Sequence, residues 1–348
     1  MTLDYRHVAT WMRDAGPLSD IVISSRVRLA RNIKGFQFLS KADAQQKLEL
    51  LEYIRAGLMN SDLANELTFL KIQDTSPLER EILVERHLIS KHLANSQSPG
   101  GLALSADESL AVMVNEEDHL RLQAMSGGQQ LMETYQRLVK IENILDERIQ
   151  YAFSPDFGYL TACPTNVGTG IRVSVMLHLP ALKLTGQLDK IFRAANDMKL
   201  AVRGFFGEGT EPVGDMFQLS NQTTLGKTEI DIINDLISEA VVPVVDYERK
   251  AREALMDEKP IELDDKIFRA LGVLTNARMI ASEEAMYQLS LVRLGINLGR
   301  IEGISLETIN DLFLFIQPAH LQYMNNSELN PLQRDMARAD YIRHRLQQ

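Results

Sequence analysis

Near residue 228 the hydrophobic pattern of the chain changes period, and that change limits the folds open to it. Upstream, short apolar runs with two-residue alternation are interleaved with helical stretches. Downstream, every run keeps helical spacing. Glu66–Ile72, Ser109–Asn115, Gly158–Thr161, Ile171–Leu177, Leu200–Gly204 and Asp215–Ser220 read as strands. Ser40–Asp43 reads as a capping-box start of a helix whose Leu48, Leu51, Ile54 and Leu58 share a face. Pro77–His92 and Glu116–Met125 read as helices, and Ser98–Gly101 as a turn. Ile230–Val242, Tyr247–Met256, Leu263–Leu274, Ser282–Leu294 and Leu306–Ile316 read as helices. The expected class is α+β, with a mixed domain over residues 1–255 and an all-helical one over 256–348. The length, 348 residues, suits two domains, because a single core stops growing at about 250–300 residues.

Composition removes several functions. Hydrophobic residues at 45% and charged residues at 24% describe a folded chain. One Cys excludes a disulfide framework and a cysteine-based zinc cluster. No apolar run reaches the ~18 residues that a membrane helix needs. Met1–Asp14 has no apolar signal core, so a cytoplasmic protein is expected. A net charge of −10 disfavours attraction of the whole surface to nucleic acid or to anionic membranes. Any anion site must therefore be a local basic pocket.

Four segments carry candidate chemistry. In Ser24-Ser-Arg-Val-Arg28 the arginines are two apart, so on a strand both guanidinium groups share one face. Two forks aimed at one spot suit a polyphosphate; an exposed strand with solvated charges has the same spacing. Asn115-Glu-Glu-Asp-His119 is followed by Arg121, and on a helix Glu117 and Arg121 are neighbours. Acids at a helix start also suit the macrodipole with no further role. Cys163-Pro-Thr-Asn-Val-Gly-Thr-Gly170, with Arg172 behind it, lets backbone N–H groups approach a ligand. Arg203-Gly-Phe-Phe-Gly-Glu-Gly209 places Glu208 between glycines. By contrast, Asn221–Thr228 imitates a phosphate loop but has Asn221 where the first glycine is required.

In this order and separation, these segments resemble the phosphagen (guanidino) kinase family, and within it the bacterial protein-arginine kinase branch. The matching stretches are Asp20–Arg31, Val114–Gln123, Tyr159–Pro180 and Val202–Glu229. The resemblance implies an antiparallel sheet flanked by helices, similar to the glutamine synthetase catalytic core. It implies ATP-dependent phosphoryl transfer, with Mg²⁺, to a guanidinium nitrogen. It places Glu117 and Glu208 on the guanidinium and Cys163 as the reactive thiol. Arg26, Arg28, Arg121, Arg172 and Arg203 fall on the nucleotide phosphates, with Ser24 and Ser25 beside them, and His87 on the adenine. The chemistry agrees. A guanidinium has delocalised lone pairs and a pKa above ~12, so carboxylates must orient its fork and take a proton. Met176 stands where metabolite kinases have a nucleotide-contacting His, and Phe206 where arginine kinases have a second loop Arg. Metabolite kinases carry a helical domain ahead of the arginine strand. With that strand beginning at Ser24, an open cleft fit for a protein substrate is expected.

Arg334-Asp-Met-Ala-Arg-Ala339 resembles a motif of the same branch and implies an allosteric phosphoarginine pocket. Arg334 would pair the phosphate and Asp335 the guanidinium, with Arg338 adjoining; a solvated helix face is the alternative. The resemblance further implies a homodimer through the helical domain, a zinc-binding activator of the McsA type, and delivery of marked proteins to a Clp ATPase/protease in the stress response. Two other functions fit the motifs: a kinase for free arginine or another guanidino metabolite, and an inactive phosphoarginine-binding adaptor.

Overall fold

The computed structural model describes residues 4–13, 16–204 and 213–347. Among the described residues ten strands form: β1 (Val22–Arg31), β2 (Leu67–Lys71), β3 (Gly101–Ser105), β4 (Leu110–Val114), β5 (Leu120–Gly127), β6 (Phe153–Ser154), β7 (Gly158–Tyr159), β8 (Ile171–His178), β9 (Leu200–Gly204) and β10 (Met216–Asn221). Eight of them make one antiparallel sheet in the order β2-β3-β4-β5-β1-β8-β10-β9, and β6 pairs with β7 in a separate hairpin. Alternation along the central strand decides the orientation of the sheet. Val27 and Leu29 are fully buried on one face. Arg26 and Arg28 stand on the other.

The helices are α1 (Thr10–Arg13), α2 (Ala44–Met59), α3 (Pro77–Glu85), α4 (Lys91–Asn95), α5 (Leu131–Asp146), α6 (Pro180–Leu184), α7 (Leu188–Asp197), α8 (Glu229–Asp235), α9 (Val242–Glu258), α10 (Pro260–Asn276), α11 (Ser282–Asn297), α12 (Leu306–Phe315), α13 (Pro318–Met324) and α14 (Pro331–Leu346). Leu122, Val173, Val175 and Leu219 from the sheet share one apolar core with Leu51 and Ile54 of α2 and Leu138 of α5. That core continues through Ile267 of α10, Leu289 of α11 and Ile342 of α14. No described helix is long and apolar enough to cross a membrane.

Three sequence expectations give way. Glu116–Met125 is a bend followed by β5, not a helix. Leu120, Leu122 and Ala124 face the core while Arg121, Gln123 and Met125 alternate with them, so period two prevails over a helix-like cluster of acids. Pro77–His92 is not one helix. It stops at Glu85, His87 adopts a left-handed backbone with φ 59°, and a new helix begins at Lys91. The capping box of α2 is Asp43 with Gln46 rather than Ser40 with Asp43, which leaves Leu48 on the exposed side.

Two buried polar junctions tie the last five helices to the rest of the chain, one at the sheet and one at the end of α3. In the first, Arg293 of α11 donates to the carbonyls of Ser19 (2.7 Å) and Asp20 (3.0 Å) and to His178 Nδ1 (3.0 Å). An arginine only donates, so Nδ1 accepts and Nε2 carries the proton. That N–H donates to Ser290 Oγ (2.9 Å), whose hydroxyl donates to Asp215 (2.6 Å) at the entrance to β10. The second junction lies at His320 of α13, against Glu85 and Arg86.

Candidate active site

The register of the sheet assembles the arginines from separate strands. Arg28 stands opposite Gln123 and Arg172, and Arg26 opposite Met125 and Ser174. Arg121 lies across from Ala30 on the same face. Gln218 carries the row to Arg203 and Met176. A cavity of about 620 Å³ opens over this face, with all five arginines in its lining.

Their charge is poorly balanced. Burial, and then Arg121, Arg172 and Arg203, push Arg26 down to about 10. Burial followed by Arg26, Arg121 and Arg172 pushes Arg28 well below the usual guanidinium range, with Glu116 opposing. Arg26 is oriented by Gln218 (2.6 Å) and Ser174 (3.4 Å), and Arg172 by Ser220 (3.4 Å). Arg121 pairs with Glu116 at 2.7 Å. Burial alone would raise Glu116, but Arg121, the Ser90 hydroxyl and the Glu117 N–H together hold it below its ordinary value. Arg28 Nε is buried with no hydrogen-bond partner among the described residues. Guanidinium forks aligned on one face of a sheet form a receptor for a polyanion.

The same cavity is also lined by groups of the opposite character, Glu117 and Cys163. Glu117 is exposed at the turn before β5. Partial burial, then Asp118 and Glu116, raise its pKa. Asp118 Oδ1 accepts Asn32 Nδ2 and the Ala162 N–H, both at 2.6 Å, so it fixes the spacing between Glu117 and Cys163. His119 is neutral scaffold: Nδ1 accepts the Ile33 N–H (3.0 Å) and Nε2–H donates to the Gln37 carbonyl (2.9 Å). Cys163 lines the cavity with its sulfur 3.0 Å from the Thr165 hydroxyl. Glu208 lies outside the described residues, as does Phe206.

Next to the arginines, a smaller recess is lined by Trp11, Ser24, His87 and Met176. The Trp11 and His87 rings meet edge-on at 5.9 Å. Burial, then Arg26 and Arg28, push His87 down to about 3, so its imidazole is neutral near pH 7. Ser25 points to the other face, where its hydroxyl donates to the Gly128 carbonyl (2.8 Å) and accepts the Gln130 N–H (2.9 Å). It is therefore absent from the cavity that holds Ser24's neighbours. Sequence reasoning had singled out neither Gln218 nor Trp11. Gln218 is a polar position in the alternation Phe217-Gln218-Leu219-Ser220 of β10, a signal available in the sequence, whereas Trp11 is brought in only by tertiary contact.

Of the C-terminal motif, Arg334 Nη1 donates to the Leu329 carbonyl (2.8 Å). Asp335 pairs with Arg338 at 2.6 Å. Arg338 is buried and also donates to the carbonyls of Ile316 (3.0 Å) and Ile280 (2.8 Å).

A sheet face lined by five arginines suits the phosphates of a nucleotide, and the comparisons give the class, a guanidino phosphotransferase. Residues 49–251 match the family described as "ATP:guanido phosphotransferase, C-terminal catalytic domain", and residues 260–348 match "Protein-arginine kinase McsB C-terminal domain". A protein-arginine kinase of Symbiobacterium thermophilum is 46% identical over 98% of this chain and 97% of its own length. One from Bacillus subtilis is 45% identical over 97% and 93%. Among solved structures, the duplicated taurocyamine kinase of Schistosoma mansoni with transition-state-analogue components is 28% identical with a TM-score of 0.62, over 69% of this chain and 34% of that one. A lombricine kinase is 25% identical with a TM-score of 0.60, over 74% and 73%. The chain belongs to the ATP:guanido phosphotransferase family, in its protein-arginine kinase branch.

Proposed function

We propose that the chain transfers the γ-phosphoryl group of ATP to arginine side chains of other proteins. The observation that carries this reading is one cavity lined by five arginines together with Glu117 and Cys163, in a chain nearly half identical to protein-arginine kinases. Arg26, Arg28, Arg121, Arg172 and Arg203 take the phosphates and the charge that develops on the transferring group. His87, with Ser24 and Met176 around it, receives the adenine. Among the described residues no group of three or more His, Cys, Asp or Glu is set to hold a metal. Mg²⁺, when bound with the nucleotide, would supply further positive charge at the phosphates beside these arginines.

Glu117 accepts the fork of the incoming arginine and takes its proton as the N–P bond forms. Its raised pKa suits a base that must be ionised yet hold a proton in passing. Glu208 supplies the second carboxylate, and the Cys163 sulfur adds negative potential beside the guanidinium. Downstream, we propose that the modified proteins pass to a Clp protease in the cytoplasmic stress response, that a zinc-binding activator of the McsA type and a second copy of this chain are its partners, and that Arg334 and Asp335 read phosphoarginine. The test is ATP consumption with an unfolded arginine-rich protein against free arginine, with phosphoarginine followed by phosphorus NMR above pH 7. Turnover confined to free arginine, or no turnover, rejects the reading.

A further inference from the structure

His87 combines two features that need an explanation. It lines the cavity, and it holds a left-handed backbone (φ 59°) that is uncommon for a residue other than glycine. Such a conformation persists only where the surroundings over-determine it. The residues just before it show what does so. Both oxygens of Glu85 are occupied: Oε1 accepts the Ala319 N–H (2.8 Å), and Oε2 accepts the His320 N–H (3.1 Å) and ring Nδ1–H (2.7 Å). Arg86 is fully buried. It donates to Glu108 (2.7 Å), to the His7 carbonyl (2.8 Å), to the Tyr5 carbonyl (3.4 Å) and to His320 Nε2 (3.3 Å). On the other side, the His87 carbonyl accepts Gln123 Nε2 at 2.8 Å. A single imidazole thus grips two consecutive residues through different nitrogens: its Nδ1–H serves Glu85 and its Nε2 lone pair serves Arg86. Only the neutral Nδ1–H tautomer can do both.

We infer that His320, in the C-terminal helical region, is a positioning residue for the nucleotide site. It fixes Glu85 and Arg86, and so holds His87 in the left-handed turn that directs its ring into the recess beside the arginines. This inference rests on the assignment of His87 to the nucleotide. Among the described residues the polar side-chain partners of His320 are Glu85 and Arg86, on the turn that carries His87, so it acts on nucleotide affinity and base discrimination and not on the acceptor side.

The test is steady-state kinetics of the full chain with ATP, GTP and a protein acceptor. His320→Ala should raise KM for ATP about fivefold, a change of ~1 kcal/mol, and narrow the preference for ATP over GTP. kcat at saturating ATP and KM for the acceptor should stay within about twofold of the parent. In a His87→Gly background the left-handed turn is intrinsically accessible, so adding His320→Ala should raise KM little further. Glu85→Gln keeps the side-chain volume and one acceptor and should give a smaller shift of the same kind, which preserves the test if His320→Ala does not fold. A lowered melting temperature with KM unchanged, or an undiminished effect in the glycine background, overturns the inference. If His87→Gly alone leaves KM for ATP unchanged, the assignment of His87 itself falls, a different signature.

Discussion

Arg28→Met should make the nucleotide-free protein more stable while weakening ATP binding. Arg28 is a half-buried cation whose Nε is buried and meets no acceptor among the described residues, and desolvation, Arg26, Arg121 and Arg172 all oppose its charge. A buried charged donor left unmatched costs ~1–3 kcal/mol, and apolar replacement of buried ions is often stabilising by ~1–4 kcal/mol. Because Glu116 returns part of that cost, a gain of about 1–2 kcal/mol is expected. The loss on the ligand side is one charge-assisted bond to phosphate, worth ~1.5–3 kcal/mol, or about 10- to 150-fold in affinity. At ATP one hundred times the wild-type Kd, mass action stabilises the wild type by ~2.7 kcal/mol and the variant by only about 0.3–1.4 kcal/mol. Urea titrations with and without MgATP read both quantities on the same samples. A variant less stable than the parent without nucleotide, yet with an equal gain from ATP, would show that Arg28 is a satisfied structural cation and that the clamp has been misassigned.

Glu117→Gln should cut kcat by ~10²–10⁴ while ATP affinity and melting temperature hold; near-normal turnover removes Glu117 as the base. Acid should destabilise the protein through its buried neutral histidines. His87 is depressed from 6.5 to about 3, so its contribution is complete above pH 6.5 and is lost as pH falls from there toward 3, at ~1.4 kcal/mol per pH unit. His178 is depressed in the same direction, by burial and then Arg293. Urea midpoints at pH 7 and pH 5 measure the slope, and His87→Gln should reduce it; an unchanged slope in that variant refutes the reading. Arg334→Ala and Asp335→Ala should both abolish phosphoarginine binding by calorimetry, but with unequal effects on stability. Asp335→Ala strips a partner from buried Arg338 and costs ~1–3 kcal/mol, whereas Arg334→Ala stays within about 0.5 kcal/mol.

The sequence disclosed what depends on local periodicity. The two-residue spacing of Arg26 and Arg28 puts both guanidinium groups on one face of a strand, and the structure supplies that strand and its partners on both sides. Where a local pattern was shared by two structures, the reading failed. The acids Glu116, Glu117 and Asp118 look like a helix start, yet Leu120, Leu122 and Ala124 were already spaced as a strand. At His87 nothing local announces a left-handed turn; it arises from Glu85 and Arg86 being seized by a residue 234 positions away in sequence. Arg338 shows the same limit. The sequence sets Arg338 beside Arg334 in a ligand pocket, with a solvated helix face as the alternative, while the carbonyls that bury it come from Ile280 and Ile316.

Ser290 and Arg293 sit in α11, yet the groups that they complete, His178 and Asp215, belong to the ends of β8 and β10. Neither half can be exchanged alone. A hybrid that joins residues 1–255 of this chain to the helices of a distant relative inherits buried Asp215 and His178 without assured partners, unless the donor carries equivalents of Ser290, Arg293 and His320 at matching depth. In the language of lineage, these positions form linked traits: a change on one side of the seam is tolerated only alongside its complement on the other. The helical region is therefore expected to have travelled with its sheet, and successful recombinants should have their crossovers away from this seam.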